Sequence, residues 1–431
     1  MSANLCQTML LLAKHQSLPC VFASARLFCN RWLAQKNKTV LKSVKNVCFC
    51  DTNRATRSQF TLTRGFSDRP LPQQNLQRLR TRQRQVFLQN QTRAYSTGPN
   101  KSKLKQLMVA TYVSWVIGGV LLTAVVYRFY GRFQKRARGI EELDVPLFGR
   151  RSRVFCRYRG YVLPSDIVNT VVNDIPWFEV RPDDTWVVSF PKAGTTWLQE
   201  IVYLICNDFD YEKAQATTIE DRFPFLEFPY PGVKVVAQSP PPRFIKTHLP
   251  FSLLPKQLDE KKPKVIYIAR NPKDTAVSLQ AFTKMINYVT FLGNMEDFAQ
   301  LFVEGTVFYG PWEKHVKEAW DRRDEENILF VTYEDLHKDF RGTVQDIARF
   351  LEKSMSESQL RALEVHCSFS LMQSNDSVNY SWQQGVLFGE GQFMRKGKVG
   401  DWKNHLSSEM SDKFDAMVTS LEPSGLHFVD S

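Results

Sequence analysis

The sequence predicts an α/β domain, with a central parallel sheet flanked by helices, that is preceded by a transmembrane helix. From about residue 145 onward, short apolar runs rich in β-branched residues alternate with helical stretches. Such alternation is typical of a parallel sheet with crossover helices. Ahead of this region, residues 107–127 are 21 consecutive uncharged residues. As a helix they would span about 31 Å, which is about one hydrocarbon core.

Four apolar runs are predicted as strands of the sheet: DTWVVSF (184–190), RFIKTHL (243–249), KVIYIAR (264–270) and NILFVTY (327–333). Residues 196–208 and 342–353 are predicted as helices, and the Pro-rich, aromatic segment 222–232 as a loop. These elements place the α/β domain at residues 146–431. A basic linker, 128–145, connects it to the predicted span.

The formal net charge of +13 belongs to the N-terminal arm. Residues 1–100 hold 16 Lys and Arg but only two acids, Asp51 and Asp68, whereas residues 131–431 hold 37 basic and 42 acidic residues. A nucleic-acid-binding function of the main domain therefore loses its best support.

The arm, residues 1–100, has the acid-poor composition of a transit peptide or a disordered segment. The sequences RGFS (64–67) and RAYS (93–96) are similar to sites cleaved by mitochondrial matrix proteases. A mitochondrial arm is thus one interpretation. A cytosol-facing anchor on another membrane and a Golgi-type anchor are the alternatives, and part of the arm could come from an over-long gene model. Basic residues flank both ends of the span, so charge does not orient it.

Eight cysteines are present, and five lie in the arm: Cys6, Cys20, Cys29, Cys48 and Cys50. Cys156, Cys206 and Cys367 are widely spaced in the main domain, which indicates reduced thiols and no disulfide framework. No metal-ligand pattern occurs, so no metal is expected.

The segment SFPKAGTTWLQEI (189–201) is the strongest local motif. A strand, a turn of small residues and a helix start follow one another, which directs backbone N–H groups and the helix dipole at one point. Lys192 adds a charge, Gly194 permits a close backbone approach, and Thr195 and Thr196 can cap the helix. Because the Lys precedes the Gly, this is not the phosphate loop of nucleoside triphosphatases. The segment predicts an anion site; an ordinary capped helix entry is the alternative.

Three further motifs follow strands or lie near the C-terminus. KTHLP (246–250) places His248 at the carboxyl end of a strand, where α/β sheets bind ligands. In ARNPKDTAVSLQAF (269–282), Arg270 and Ser278 could converge on a second phosphate. FMRKGKVGDWKNHL (393–406) puts Arg395, Lys396, Lys398 and two glycines into one loop. A solvated charged face is the ordinary alternative for that last cluster.

In this order, PKxGTTW, KTHLP, RNPKDxxxS and RKGxxGDWK resemble the cytosolic-type sulfotransferase family, as do YGPWEKH (309–315) and VTYEDL (331–336). The resemblance runs from about 150 to 427. It implies a single α/β domain with a nucleotide site related to that of kinases (a P-loop NTPase-like fold). It also implies transfer of a sulfuryl group from 3′-phosphoadenosine 5′-phosphosulfate (PAPS) to a hydroxyl or amine.

The resemblance also implies residue roles. The 5′-phosphosulfate would be held by Lys192, Ala193, Gly194, Thr195 and Thr196. Adenine would contact Trp197, Tyr333 and Phe369, and the 3′-phosphate would contact Arg270, Ser278, Arg395, Lys396 and Gly397. His248 would be the general base, with Lys192 and Lys246 as the cations that stabilise developing charge. Phe225, Phe228 and Phe282 would line an apolar pocket for a small, lipophilic acceptor, although ordinary core packing explains each of them as well.

Some positions depart from the family pattern. Ala193 stands where many members carry Ser, and Cys367 where they carry Thr. KNHLSSEMSD (403–412) alters the last three fixed positions of the family's dimer motif, at Ser407, Ser408 and Asp412, which puts the family-type homodimer in doubt. A catalytically silent, membrane-tethered nucleotide-binding or scaffold protein is therefore the alternative to an active enzyme. The third hypothesis, a nucleotide kinase, is disfavoured by the position of the Lys.

Overall fold

The computed structural model describes residues 81–89, 101–145, 147–149, 155–229 and 232–428. The proposed cleavage sites at 64–67 and 93–96 and the five arm cysteines lie outside the described residues. The chain divides into two compact units, Met1–Val109 and Ala110–Ser431. In the first unit, residues 81–89 form a helix, α1, whose side chains are exposed.

A four-stranded parallel sheet forms the centre of the second unit. Its strands are β4 (Thr185–Ser189), β5 (Phe244–Thr247), β6 (Lys264–Ala269) and β7 (Ile328–Thr332), in the order β5-β4-β6-β7. All five residues of β4 are buried. Helices cover both faces of such a sheet, so its strands are apolar runs without alternation. The four strands predicted from the sequence are these four, each one or two residues shorter than the predicted run at one or both ends.

The described residues form further helices, and those after residue 164 connect and cover the strands. In chain order they are α2 (Lys101–Ala137), α3 (Val168–Asn173), α4 (Thr195–Cys206), α5 (Tyr211–Ala216), α6 (Ile219–Arg222), α7 (Gly232–Gln238), α8 (Gln257–Lys261), α9 (Pro272–Met285), α10 (Met295–Val303), α11 (Trp312–Trp320), α12 (Tyr333–Lys338), α13 (Phe340–Phe350), α14 (Glu357–His366), α15 (Phe369–Ser374) and α16 (Ser408–Thr419). The predicted loop 222–232 is a loop over 223–229, whereas Arg222 ends α6 and Gly232 begins α7.

A small antiparallel sheet, β1-β2-β3, was not predicted. Its strands are β1 (Ile140–Leu143), β2 (Phe155–Tyr158) and β3 (Tyr161–Pro164). The prediction of a linker over 128–145 therefore differs from the structure, since this range contains the last turns of α2 and all of β1. Strand β1 has the sequence IEEL, and its two adjacent acids hide the strand pattern. Only Ile140 is fully buried, and pairing with β2 supplies the remaining stabilisation.

Helix α2 contains the predicted span. Residues Lys105–Ala137 are long and apolar enough to cross a membrane by length and composition. The apolar side chains of this stretch are exposed, as Trp115 (77% exposed) and Leu107 (67%) illustrate. Beyond the helix, Arg138 donates a hydrogen bond of 2.7 Å to the Asn173 side chain of α3.

The sheet determines where the functional side chains lie. In the register, Val188 pairs with Thr247, Ser189 with Ile268, and Ala269 with Thr332. Because the strands are parallel, their carboxyl ends meet at one edge of the sheet. The residues that follow the four strand ends are therefore brought together: Lys192, His248, Arg270 and Tyr333.

Candidate functional site

A cavity of about 430 Å³ lies at this edge of the sheet. Of the residues that the sequence analysis assigned to a site, all but Ala193 line it: Lys192, Gly194, Thr195, Thr196, Trp197, Phe225, Phe228, Lys246, His248, Arg270, Ser278, Phe282, Tyr333, Phe369, Arg395, Lys396 and Gly397. Its lining includes six Lys or Arg side chains but only two carboxylates, Glu220 and Glu364. The cavity therefore favours an anionic ligand.

The turn between β4 and α4 forms one end of the cavity. Gly194 caps α4 at φ +101°, and a Cβ atom there would lie 2.7 Å from Cδ2 of Tyr333. Only glycine fits this conformation without strain. The Thr195 hydroxyl forms a hydrogen bond of 2.6 Å with that of Ser189. Ala193 does not line the cavity: its side chain is buried, and its N–H donates to the Phe190 carbonyl at 3.3 Å.

Lys192 extends from this turn at φ +69°. Its ammonium lies 3.9 Å from the ring centre of Phe393 and 4.7 Å from that of Phe282, and it donates to the Phe393 carbonyl at 3.3 Å. Burial, together with the charges of Lys246, Arg270 and Arg395, lowers the pKa of Lys192 to about 7. An anion in the cavity would restore the ordinary charge of this lysine.

His248 is held in one tautomer. Its Nδ1 lies 2.9 Å from the Ser189 carbonyl oxygen, which can only accept a hydrogen bond, and 3.2 Å from the Ser189 hydroxyl, which can accept or donate. Nδ1 therefore carries the proton, and Nε2 has a free lone pair. Burial, reinforced by the charge of Lys246, lowers the pKa of His248 well below its ordinary value of 6.5. The side chain is a neutral imidazole in a cavity wall, as a general base must be.

Lys246 and the aromatic side chains form the other end of the cavity. The Lys246 ammonium lies 4.4 Å from the ring centre of Phe225. The rings of Phe225 and Phe228 stack in parallel at 5.4 Å, and the Phe225 ring meets His248 edge-on at 5.0 Å. Glu220 also lines this end, and burial raises its pKa. We call this end of the cavity, with Phe225, Phe228 and Lys246, the acceptor chamber; an apolar, flat molecule fits here against the imidazole.

Arg270 follows β6 and is largely buried. It donates to the backbone carbonyls of Lys192 and Lys398 at 3.3 and 3.1 Å, while its Nε is buried without a hydrogen-bond partner. On the next helix, α9, the Asp274 carboxylate accepts from the N–H groups of Gly400 and Trp402 at 2.7 and 3.0 Å. Asp274 thus attaches the C-terminal glycine-rich loop to the helix that carries Ser278.

In that loop, Arg395 and Lys396 both bind the Asp401 carboxylate, at 2.5 and 2.8 Å. Burial alone would raise the pKa of Asp401, but hydrogen bonds from Lys396 and Arg395 hold it well below its ordinary value. Arg395 Nε is also buried without a partner. At Gly397, φ is +63°, and the Phe369 ring occupies the place that a Cβ atom would need.

Aromatic rings line the part of the cavity beside α4. The Trp197 ring meets Tyr333 edge-on at 5.5 Å and lies nearly parallel to Phe340 at 6.0 Å. Arg270 lies over the Tyr333 ring at 4.4 Å. Trp197, Tyr333 and Phe369 all contribute to the cavity wall. Planar, apolar surfaces of this kind are suited to a nucleobase.

Several side chains of the site were missed by the sequence analysis. Asp274 and Asp401 lie inside quoted motifs, yet acids were not expected beside a phosphate site. Ser189 lies inside the predicted strand 184–190, where no sequence feature marks its contact with His248. Glu227 lies between two predicted pocket residues, but a glutamate in a loop normally indicates a solvated position. Its only signal is the apolar sequence around it, PFLEF.

Among the described residues, no group of three or more His, Cys, Asp or Glu side chains is arranged to hold a metal ion. Cys156, Cys206 and Cys367 are free thiols, as expected.

Comparisons with known proteins point to one family. A family model described as a sulfotransferase domain matches residues 182–421. Sulfotransferase 1B1 of Canis lupus familiaris is 40% identical over 273 residues, which are 62% of this chain and 92% of that protein. Sulfotransferase 1E1 of Homo sapiens is 40% identical over 267 residues, covering 61% and 90%.

Solved structures agree. Retinol dehydratase in complex with androsterone and the inactive cofactor PAP matches with a TM-score of 0.62 and 29% identity, over 68% of this chain and 98% of that chain. Mouse sulfotransferase SULT7A1 complexed with PAP matches with a TM-score of 0.52 and 29% identity, over 62% and 93%.

Proposed function

The chain belongs to the sulfotransferase family and transfers a sulfuryl group from PAPS to a small-molecule acceptor, and from this premise we propose what each part of its cavity does. One observation carries the proposal: four parallel strand ends deliver an imidazole, a lysine, an arginine and a tyrosine to a single cavity. A catalytically silent scaffold is not favoured by these findings.

The donor fits the cationic part of the cavity. We assign the 5′-phosphosulfate to the β4–α4 turn, with Lys192, Ala193, Gly194, Thr195 and Thr196. Because the Ala193 N–H faces Phe190, Ala193 contributes by its small size more than as a donor. We assign the 3′-phosphate to Arg270, Ser278, Arg395, Lys396 and Gly397, because the partnerless Nε atoms of both arginines are the donors that a phosphate would satisfy. Trp197, Tyr333 and Phe369 surround the adenine.

Sulfuryl transfer takes place at the end of the cavity that holds His248 and Lys246. His248 Nε2 accepts the proton of the acceptor hydroxyl or amine, whose oxygen or nitrogen forms a bond to sulfur. The bond from sulfur to the 5′-phosphate oxygen breaks, and Lys192 and Lys246 stabilise the charge that develops on the bridging and sulfuryl oxygens. Little covalent help is needed, as in phosphoryl transfer.

The acceptor chamber indicates the class of acceptor. Its walls are aromatic and apolar, including Phe225, Phe228 and Phe282, with Tyr288 and Phe388 nearby. We propose a flat, lipophilic alcohol, phenol or amine, whose reacting group meets His248 while its remaining surface contacts the rings.

Donor assignment is tested by calorimetry with adenosine 3′,5′-bisphosphate and adenosine 5′-monophosphate. We expect the bisphosphate to bind on the order of 10²-fold more tightly, because charge-assisted hydrogen bonds to the 3′-phosphate are strong. Arg270→Ala should remove most of this difference and leave monophosphate affinity within about twofold. Arg349→Ala, at an exposed position, is the matched control. Equal binding of both nucleotides by the unaltered chain would contradict the assignment.

We further propose that α2 anchors the chain as a single-pass membrane protein and that the acid-poor arm, 1–100, is a mitochondrial presequence. Support comes from the uncharged stretch 107–127 and its exposed apolar side chains. With this anchor, a lipophilic acceptor would reach the enzyme from the bilayer.

The full chain is expected to stay in the membrane pellet after alkaline carbonate extraction and to colocalise with a mitochondrial marker. Substituting Val116→Arg and Leu121→Arg should release it, because each central arginine costs about 2.5–3.5 kcal/mol on insertion. Glu390→Arg, outside the span, is the control for added charge. Full release of the unaltered chain would reject the anchor, and a stable signal on another membrane would reject the mitochondrial arm.

The family-type homodimer is not part of the proposal. Ser407, one of the three departures, caps α16, and its N–H and hydroxyl donate to Glu296 at 2.8 and 3.1 Å. Ser407 therefore makes its polar contacts within the chain.

A further inference from the structure

We propose that Glu227 is a positioning residue for sulfuryl transfer: its carboxylate fixes the acceptor wall to the strand end that carries Lys246 and His248. The inference rests on the proposed function, in which those two residues act on the acceptor.

The loop that carries Glu227 runs beside β5. Phe225 forms a parallel bridge with Lys246. The Lys246 N–H donates to the Pro224 carbonyl at 3.0 Å, and the Leu226 N–H donates to the Lys246 carbonyl at 2.9 Å. The loop therefore acts as a short additional strand at the edge of the sheet.

Beyond the last backbone hydrogen bond between the loop and β5, the Glu227 side chain supplies the next contacts. Its Oε2 accepts from the Thr247 hydroxyl and its Oε1 from the His248 N–H, both at 2.8 Å. The carboxylate is fully buried, with 0% exposure. One side chain thereby connects the turn that carries the general base to the loop that carries Phe225 and Phe228.

The other contacts of His248 involve its ring and its carbonyl, so Glu227 is the partner of its backbone N–H. The His248 ring is fixed by the Ser189 carbonyl, and the His248 carbonyl accepts from His315 Nε2 at 2.9 Å. Apart from Nε2, which we assign to the acceptor, the backbone N–H is the polar group of His248 that these contacts do not use, and Glu227 binds it. Without the Glu227 carboxylate, the buried His248 N–H would lack a hydrogen-bond partner, and the turn could shift away from the acceptor substrate.

The charge of Glu227 has a second effect, on Lys246. Burial lowers the pKa of Lys246, whereas the carboxylates of Glu220 and Glu227 oppose this change. The other titratable groups close to this pair are Lys192, His248, Tyr309, whose hydroxyl faces Glu227, and Tyr380, whose ring centre lies 5.9 Å from the Lys246 ammonium. Burial raises the pKa of Glu227 itself to about 7. Above that pH, Glu227 is ionised and favours the ammonium form of Lys246.

Two variants separate geometry from charge. Glu227→Gln preserves the shape, because the amide oxygen can accept from the His248 N–H while the amide nitrogen donates to the Thr247 hydroxyl. Glu227→Ala removes both contacts. We expect the Ala variant to lose kcat on the order of 10²-fold, and the Gln variant to remain within about threefold at pH 7. The affinity for adenosine 3′,5′-bisphosphate should be unchanged in both, since the 3′-phosphate residues do not contact Glu227; this also verifies folding.

The pH profile provides a readout that a purely structural role would not change. The alkaline limb of kcat/KM should move to lower pH in Glu227→Gln, because Lys246 loses the support of a neighbouring charge. Thr247→Val, which deletes one of the two contacts, should give an intermediate loss of about fivefold.

Turnover by Glu227→Ala within threefold of the unaltered enzyme would overturn the proposal, as would equal losses in the Ala and Gln variants. An alkaline limb that does not move would overturn the effect on Lys246. Failure of the unaltered chain to transfer sulfuryl groups to any acceptor would instead reject the proposed roles of His248 and Lys246, so the two failures are distinguishable.

Discussion

Replacing His248 with alanine is expected to lower kcat by about 10³-fold, within the range that a general base contributes. The imidazole is neutral because burial lowers its pKa, and the Ser189 carbonyl keeps the proton on Nδ1. Nε2 is therefore unprotonated and can take the proton of the acceptor hydroxyl or amine directly. Turnover of a phenol panel with PAPS would measure the effect.

His427→Ala, which removes an exposed imidazole, is the control for this substitution. The affinity for adenosine 3′,5′-bisphosphate should remain within about twofold in both variants, because His248 belongs to the acceptor side. The unaltered enzyme should keep its activity as pH falls to 6, since a base with a lowered pKa stays unprotonated. A tenfold loss of kcat/KM between pH 7 and 6 would contradict this assignment.

Replacing Lys192 with methionine is expected to weaken bisphosphate binding on the order of 10²-fold, because a buried ammonium and its charge-assisted hydrogen bonds are lost. The pKa of Lys192 is about 7 in the free protein, and an anionic ligand raises it. Binding should therefore take up a proton near pH 7.5 and weaken as pH rises further. Calorimetry in two buffers of different ionisation enthalpy measures this uptake.

The direction in which Lys192→Met changes the stability of the unliganded protein can be predicted. The pKa of Lys192 is lower in the folded chain than the ordinary value near 10.5, so between pH 7 and 10 the unfolded chain binds more protons. Lys192 therefore destabilises the free fold at neutral pH, and Lys192→Met should have a Tm at least equal to that of the parent. Lys317→Met, at a half-exposed surface lysine, is the matched control. If Lys192→Met still takes up the same number of protons when it binds the bisphosphate, a group other than Lys192 titrates, and the assignment is wrong.

That Lys192 and Arg270 line one cavity was predictable from the sequence because each follows a strand. A short apolar run shows where β4 or β6 ends, and parallel pairing then brings Lys192 and Arg270 together whatever lies between them. The same reasoning placed His248. What it could not show is which groups orient them: Glu227 and Asp274 hold backbone N–H groups, and a backbone partner leaves no trace in residue spacing.

The small antiparallel sheet was missed for a related reason. Its strands have four residues each, too few for alternation to show, and Glu141 and Glu142 of β1 resemble a solvated segment. The Ala193 N–H illustrates a third limit. The residue type is compatible with a donor to phosphate, but the direction of its N–H depends on the turn that Lys192 closes at positive φ.

The ion pairs of Asp401 bear on the rate at which nucleotide leaves. In the free protein this carboxylate already binds Arg395 and Lys396. If these two cations hold the 3′-phosphate, as we propose, its departure would not leave them unpaired. The Asp401 carboxylate would then take the place of the leaving phosphate, and this substitution would lower the barrier to dissociation. A transferase must empty its nucleotide site once per catalytic cycle, and an internal substitute anion lets it combine selective recognition with rapid clearance of the spent nucleotide.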